Sequence, residues 1–337
     1  MRITVIDVAK AAGVSRTTVS NVFSGKGKYS NETREAVLEA AKKLGYKPNL
    51  AARALITNRS RLIGLILPSY VDANTLTNSP FYNIIIDSIY SVLRLEACYD
   101  LIIYSVPDKD QLARVNDWID MRNVDGILAV GEYENAFLQD LNAKGLPVVL
   151  IDNYARGAFA NFSYINSDDE MGGYLAARHL LEKGHRKIAI CGDLAGPLMQ
   201  KRQQGYRSAL REAGCPEYVF DQTAIAIAAP FDAGVHFARR LTEQGCEAAF
   251  CTEDMTAIGL IHGLLQQGVQ VGRAFGVIGF DNIHFGKQIF PRLSTMDQNI
   301  FEKGQTATKT LLETIERQAR RGSRLILPVS LVKREST

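Results

Sequence analysis

The 337-residue sequence has no long apolar run. No segment approaches the roughly 18 apolar residues of a membrane-spanning helix, so no span is expected. Near the N-terminus Asp7 and Lys10 stand where a secretion signal would be apolar, so no export signal is expected. Cysteine is sparse: Cys98, Cys191, Cys215, Cys246 and Cys251 make an odd count with no CxxC pair. That argues against a disulfide framework or a zinc site and fits reduced thiols in a cytoplasmic protein. Catalytic signatures are missing too. Residues 192–197 (GDLAGP) lack the GK[ST] ending of a phosphate-binding loop. There is no GxSxG elbow and no HExxH, and His179, His185, His236, His262 and His284 are scattered. His185 lies between a helix and a strand and reads as structural. No metal and no cofactor are expected. An enzyme would have to pair Asp152, Glu253 and Asp281 as acid and base.

The charge that is present is unevenly spread. Residues 1–60 carry 11 Lys+Arg and 4 Asp+Glu, a net +7. The other 277 carry 28 and 32 (39 − 11 and 36 − 4), a net −4. A basic head on a mildly acidic body suggests that the head alone meets a polyanion.

Within that head, residues 7–22 (DVAKAAGVSRTTVSNV) read as two short helices around a tight turn. Ala9, Ala12, Val14, Val19 and Val22 are the contacts that let them cross. Gly13 stands where the first helix must stop. Ser15 follows as N-cap of the second. Thr4 with Asp7 resembles a capping box. A helix–turn–helix of this kind lays its second helix in the DNA major groove. Arg16, Thr17, Ser20 and Asn21 would then face base edges or phosphates. The competing reading is an ordinary helical hairpin with a solvated face. Ser30 opens a third helix, with Ala36, Val37, Ala40, Ala41 and Leu44 at helical spacing, and Gly45 closes it. Residues 1–46 thus form an all-α three-helix head.

Residues 47–61 read as a hinge and linker. Pro48 ends the preceding helix, and 49–56 allow about two turns, too few to be stable without a partner. From residue 62 the texture changes to buried strands alternating with amphipathic helices. Strands are expected at 63–67, 101–104, 126–130, 148–151, 187–191, 248–251 and 276–279. Helices are expected at about 82–96, 109–122, 134–144, 170–182, 200–213, 231–244, 255–267 and 301–321. This pattern predicts α/β architecture with parallel doubly wound sheets. The length predicts two lobes over 62–337, with the chain crossing between them. Ligands of such sheets bind beyond the strands' carboxyl ends. The residues there are aromatics, carboxylates, amides and one arginine, a set suited to a polyhydroxylated ligand. Asp169 and Asp254 read as helix caps, Gly192 and Gly279 as turn glycines, and 72–79 as a surface loop.

The motifs at 5–22 (VIDVAKAAGVSRTTVSNV), 44–55 (LGYKPNLAARAL), 184–190 (GHRKIAI), 200–206 (QKRQQGY), 277–282 (VIGFDN) and 331–337 (LVKREST) resemble the LacI/GalR family of bacterial transcriptional repressors. The resemblance spans nearly the whole chain. It implies a homodimer with helix–turn–helix heads, hinge helices and a periplasmic-binding-protein-like sensor. It places Arg16, Thr17 and Asn21 against bases, with Ser15, Thr18, Ser20 and Asn31 nearer the backbone of operator DNA; Thr4 is also expected among the DNA-binding residues. Asn49, Ala52, Arg53 and Leu55 fall on the hinge, Leu55 as a minor-groove wedge. Phe81, Tyr82, Asp152, Arg202, Asp281 and Gln298 match ligand positions. Glu253 stands where many sugar-binding members place Asn, and the 72–79 loop is long. The effector is expected to be a sugar or sugar derivative, controlling operator affinity allosterically. No leucine-heptad tail follows, so a tetramer is not expected. The alternative is a sugar-binding module or carbohydrate-processing enzyme without specific DNA binding.

Overall fold

The structure is a computed structural model and describes residues 3–24, 27–46, 59–68, 79–97, 99–106, 112–155, 159, 161–225, 227, 229–317 and 322–337. It divides into two compact units, residues 1–62 with 122–125, and 63–121 with 126–337.

The first unit contains α1 (Val5–Ala11), α2 (Arg16–Ser24) and α3 (Asn31–Leu44). Their boundaries follow from capping. The Thr4 N–H donates to the Asp7 carboxylate at 2.8 Å. Ser15 Oγ accepts from Thr18 N at 3.0 Å, and Ser30 Oγ from Thr33 N at 3.1 Å. Gly13 and Gly45 sit at φ +68° and +65°, the left-handed conformation that ends a helix and suits glycine best. Val8, Ala9, Val19, Val22, Val37, Ala40 and Ala41 form the core. Small side chains dominate it, so the three helices cross closely.

In the second unit the strands are β1 (Leu62–Pro68), β2 (Asp100–Val106), β3 (Gly126–Val130), β4 (Val148–Ile151), β5 (Phe162–Ser167), β6 (Ile188–Gly192), β7 (Tyr218–Asp221), β8 (Ala248–Cys251), β9 (Gly276–Phe280), β10 (Ser294–Asp297), β11 (Arg324–Leu327) and β12 (Ser330–Val332). The helices are α4 (Pro80–Val92), α5 (Leu112–Arg122), α6 (Asn135–Ala143), α7 (Asp169–Glu182), α8 (Gly196–Glu212), α9 (Pro230–Glu243), α10 (Asp254–Gln266) and α11 (Ile300–Arg317). One sheet has the order β11-β5-β4-β3-β1-β2, the other β12-β10-β9-β8-β6-β7. The described pairs are parallel except β10 with β12. We call the two layers the N-lobe and the C-lobe. The chain passes between them three times, after β5, after β10 and between β11 and β12. Strands such as Ile127–Val130 and Val148–Ile151 are buried on both faces, which is why they read as unbroken apolar runs.

Five strands lie outside the sequence expectations: β5, β7, β10, β11 and β12. β5 (FSYINS) is fully buried yet carries Ser163, Asn166 and Ser167, whose polar groups find partners inside the protein. α8 starts at Gly196, four residues before the expected start, because the Gly196-Pro197 pair opens a helix here rather than a loop.

Two helix pairs of the C-lobe pack backbone to backbone. A Cβ on Gly205 would meet the Glu170 carbonyl, and one on Gly173 the Arg202 carbonyl. Gly205→Ala should therefore destabilise the protein by about 1–3 kcal/mol, the usual cost of overpacking, measured as a shift in urea midpoint. An unchanged midpoint would mean that α7 and α8 can part without penalty. Gly279 is likewise not a turn glycine. It lies within β9, where a Cβ would strike the Asp254 carboxylate. Among the described residues the cysteines are free, and Cys191, Cys246 and Cys251 are buried; Cys98 lies outside them. No described helix is long and apolar enough to cross a membrane.

Candidate functional site

On α2 the side chains expected to meet DNA divide by their existing bonds. Arg16 and Thr17 are exposed, while Ser20 and Asn21 are half-buried. Ser15 and Thr18 bond each other through their hydroxyls at 2.9 Å. The Thr4 hydroxyl donates to Asp7 at 2.7 Å. Asn31 is exposed at the first position of α3. Arg16 and Thr17 thus stand at the exposed N-terminal end of α2, with the apolar face turned into the head core. The hinge positions Asn49, Ala52, Arg53 and Leu55 lie outside the described residues, as does the loop before Ser79.

The cleft between the lobes is assembled from strand ends. Asp152 follows β4, Asp193 follows β6, Thr252 and Glu253 follow β8, Asp281 follows β9, and Gln298 follows β10. Asp152, Asp281, Asn282 and Asn299 all have positive φ, at +56°, +118°, +56° and +50°. Non-glycine residues held there store strain, and such strain concentrates at functional sites. Arg202, on the second turn of α8, is buried at 3% exposure. Its Nε donates to Asp169 at 2.8 Å and its Nη1 to the Thr252 carbonyl at 2.5 Å. Its guanidinium lies 3.6 Å from the Phe280 ring centroid. Tyr154 donates to the Ser167 carbonyl and the Asp169 carboxylate, both at 2.8 Å.

Asp169 was expected to cap its helix and does not. Asp168 is the N-cap, accepting from Met171 N, and Asp169 at the next position faces Arg202. Asp254 also differs from a cap. Glu253 precedes it as N-cap with no side-chain cap bond, while the Asp254 carboxylate accepts from Ile283 N and Thr295 Oγ1. In both cases the carboxylate one residue inside the helix has a tertiary donor close by.

A second network centres on Lys303, in the first turn of α11 and fully buried. Its Nζ donates to Asp152 at 2.6 Å and to Gln298 Oε1. Gln298 Oε1 also accepts from Ser167 Oγ at 3.2 Å, while its Nε2 donates to Asp281. The path Asp152–Lys303–Gln298–Asp281 joins the end of an N-lobe strand to the end of a C-lobe strand. Phe81 and Tyr82 open α4 as a T-shaped pair 5.4 Å apart, and Lys303 Nζ lies 5.9 Å from the Phe81 ring. The cleft therefore brings together Phe81, Asp152, Arg202, Glu253, Asp281 and Gln298 from the expected set, with Tyr82 beside Phe81.

Sequence reasoning missed Lys303 and the clamp role of Asp169. A signal for Lys303 was available. Ile300, Gly304, Ala307, Leu311 and Ile315 form the buried stripe of α11, and a lysine within that stripe demands a buried partner.

The electrostatics is dominated by excess carboxylate. Burial pushes Asp152 up, and Lys303 opposes the shift. Glu253 is pushed up to about 8, by burial first and then by Asp281. Asp281 is pushed up to about 7 by burial, against the pull of Arg202 and of its Gln298 bond.

A family model described as "Bacterial regulatory proteins, lacI family" matches residues 4–49, and one described as "Periplasmic binding protein-like domain" matches 177–337. The HTH-type transcriptional repressor PurR of Haemophilus influenzae is 33% identical over 348 residues, covering 99% of this chain and 98% of the relative. A solved structure of the lac repressor dimer bound to operator and the anti-inducer ONPF has a TM-score of 0.83 at 26% identity, over 100% of this chain and 99% of that one. The complex of the transcriptional regulator CelR with cellobiose has a TM-score of 0.73 at 28% identity, over 100% of both chains.

Proposed function

The chain belongs to the LacI family of bacterial regulatory proteins, and from that premise we propose a division of labour among its residues. As a member it is a DNA-binding transcriptional repressor with a ligand-binding domain, and its relatives are regulators, not enzymes. The reading as a sugar enzyme without DNA binding is thereby set aside. In our reading residues 1–46 bind operator, 47–61 form the hinge, and 62–337 bind the effector and a second copy of the chain in the cytoplasm. Arg16, Thr17 and Asn21 read bases; Thr4, Ser15, Thr18, Ser20 and Asn31 position the head on the DNA backbone. Asn49, Ala52, Arg53 and Leu55 contact operator DNA, Leu55 as the minor-groove wedge. Phe81, Tyr82, Asp152, Arg202, Glu253, Asp281 and Gln298 contact the effector.

The observation that carries the effector half is the buried path from Asp152 through Lys303 and Gln298 to Asp281. It links both lobes, so a ligand that rearranges it has different contacts in different lobe arrangements. Differential contact of that kind is what allosteric coupling requires. A coupling of about 1–3 kcal/mol would change operator affinity roughly 5–150-fold. Rings, carboxylates and amides around the cleft support a small polar ligand of sugar-like outline.

Gel shifts at fixed salt, using genomic fragments from around the chain's own gene, test the DNA half. Arg16→Ala should cost about 1–3 kcal/mol of specific binding and relax base preference at one position. If it weakens all sequences equally, Arg16 holds phosphate instead. A thermal-shift screen of the full chain against sugars tests the effector half, since a ligand of the folded state raises the melting temperature.

A further inference from the structure

The last residues of the linker are gripped by one side chain from a distant stretch of the sequence. Asp125, directly before β3, accepts from Ser60 N at 2.7 Å and Ser60 Oγ at 2.8 Å through one carboxylate oxygen. Its other oxygen accepts from Arg61 N at 3.0 Å. The Asp125 N–H donates to the Leu62 carbonyl at 2.8 Å, and Ser60 Oγ accepts from Leu62 N at 3.2 Å. This clamp is not part of the sheet. Pairing of β1 with β3 begins at Ile63 and Gly126, and Ser60 and Arg61 lie upstream of β1. Arg61 is exposed, yet it sits at φ +58°, where an arginine backbone is strained. A bend of that kind lets successive N–H groups converge on one anion. Two residues that no strand requires are thus held in one place, at a cost in strain.

We propose that Asp125 is a positioning residue for operator binding: it fixes the point at which the linker joins β1. This rests on the reading of residues 1–46 as the DNA-binding head and 47–61 as the hinge, and it adds a residue that lies outside both. With the clamp closed, Ser60 and Arg61 are ordered before DNA is met. With the carboxylate removed, they must be ordered each time the head engages its operator. Ordering one backbone residue costs roughly a factor of five or more in an equilibrium constant, so two residues change specific affinity by about tenfold or more. Weak binding to unrelated duplex depends on the basic charge of the head against phosphates. It makes no demand on where the linker begins. The clamp therefore acts on specific binding and leaves the salt-dependent background as it is.

The test compares the full-length parent with Asp125→Ala and Asp125→Asn, the second of which keeps one accepting oxygen. Urea midpoints confirm that both variants are folded. Hydrogen exchange followed by mass spectrometry reads the peptide that contains the Ser60 and Arg61 amides. Gel shifts at fixed salt compare genomic fragments from around the chain's own gene with duplex of unrelated sequence. In Asp125→Ala the Ser60 and Arg61 amides should exchange at least tenfold faster. Specific affinity should fall about tenfold while affinity for unrelated duplex stays unchanged, and Asp125→Asn should fall between the variant and the parent on both readouts. Unchanged exchange in Asp125→Ala overturns the proposal, because the carboxylate then does not hold the linker. So does faster exchange with unchanged specific affinity. An equal loss on both kinds of DNA also overturns it, showing damage to the head rather than a misplaced linker. In each of these cases the parent still binds its operator, and the DNA-binding reading stands. A parent that prefers none of the genomic fragments overturns that reading, and the proposal with it.

Discussion

Lys303→Met is expected to lower the unfolding free energy of the protein by about 3–5 kcal/mol, the usual effect of removing one partner of a buried ion pair. Lys303 is fully buried and Asp152 is 4% exposed. Methionine keeps the length and most of the volume of lysine but leaves the Asp152 carboxylate facing a thioether. It also removes a donor from Gln298, so the path between the lobes is broken at its centre. The double variant Asp152→Asn with Lys303→Met should recover a large part of the loss, because no uncompensated charge then remains. Urea unfolding of the two variants beside the parent checks both statements. A single variant as stable as the parent would mean that Asp152 is held by something other than Lys303.

Stability is also expected to fall as pH rises from about 6.5 to about 8. Glu253 and Asp281 ordinarily titrate near 4.5 and 3.8, and in the folded protein they rise to about 8 and about 7. Between those values the folded chain holds protons that the unfolded chain has lost. Their contribution is thus full at low pH and is lost as pH climbs through the folded values. One pKa unit corresponds to about 1.4 kcal/mol, so the pair accounts for an effect on the order of several kcal/mol over the whole range. His179 and His185 work in the opposite direction. Burial pushes both below the usual 6.5, so they favour the folded state as pH rises toward 6.5. The carboxyls therefore dominate above that point. Urea midpoints at pH 6.5, 7, 7.5 and 8 should decline in the parent and decline less in Glu253→Gln. Parallel profiles for the two proteins would show that Glu253 is ionised throughout.

These predictions depend on contacts that differ in how legible they were. The head was readable almost residue by residue, because caps and turn glycines act locally: Ser15, Ser30, Gly13 and Gly45 each do what their neighbours require. Strands covered on both faces, such as Gly126–Val130, were readable because burial leaves no polar residue in them. β5 was not readable, since the polar groups of Ser163, Asn166 and Ser167 are answered elsewhere. The partner of Ser167 is Gln298, 131 residues away. Asp169 and Asp254 misled for the same reason. An aspartate at a helix start has a sufficient local explanation, and its tertiary donor is invisible in the sequence. Glu253 was noticed as a departure from a family pattern, but the burial and the Asp281 charge that push it up are properties of the folded cleft.

The threefold passage of the chain between lobes has a consequence for biosynthesis. The three helices of the head come from one continuous stretch that ends at Leu44. The N-lobe does not: its sheet needs β11, and its core needs α11. At the usual ~5–20 residues per second, the ribosome makes residue 327 roughly 15–60 s after residue 46. Throughout that interval a nascent chain can carry a complete DNA-binding head while Gln298 and Lys303 have yet to be made. A message cut short before residue 298 would leave a head with an unfinished second unit, lacking Gln298, Lys303, α11 and β11. Rapid removal of such fragments would matter more for this gene than for one whose sensor folds first.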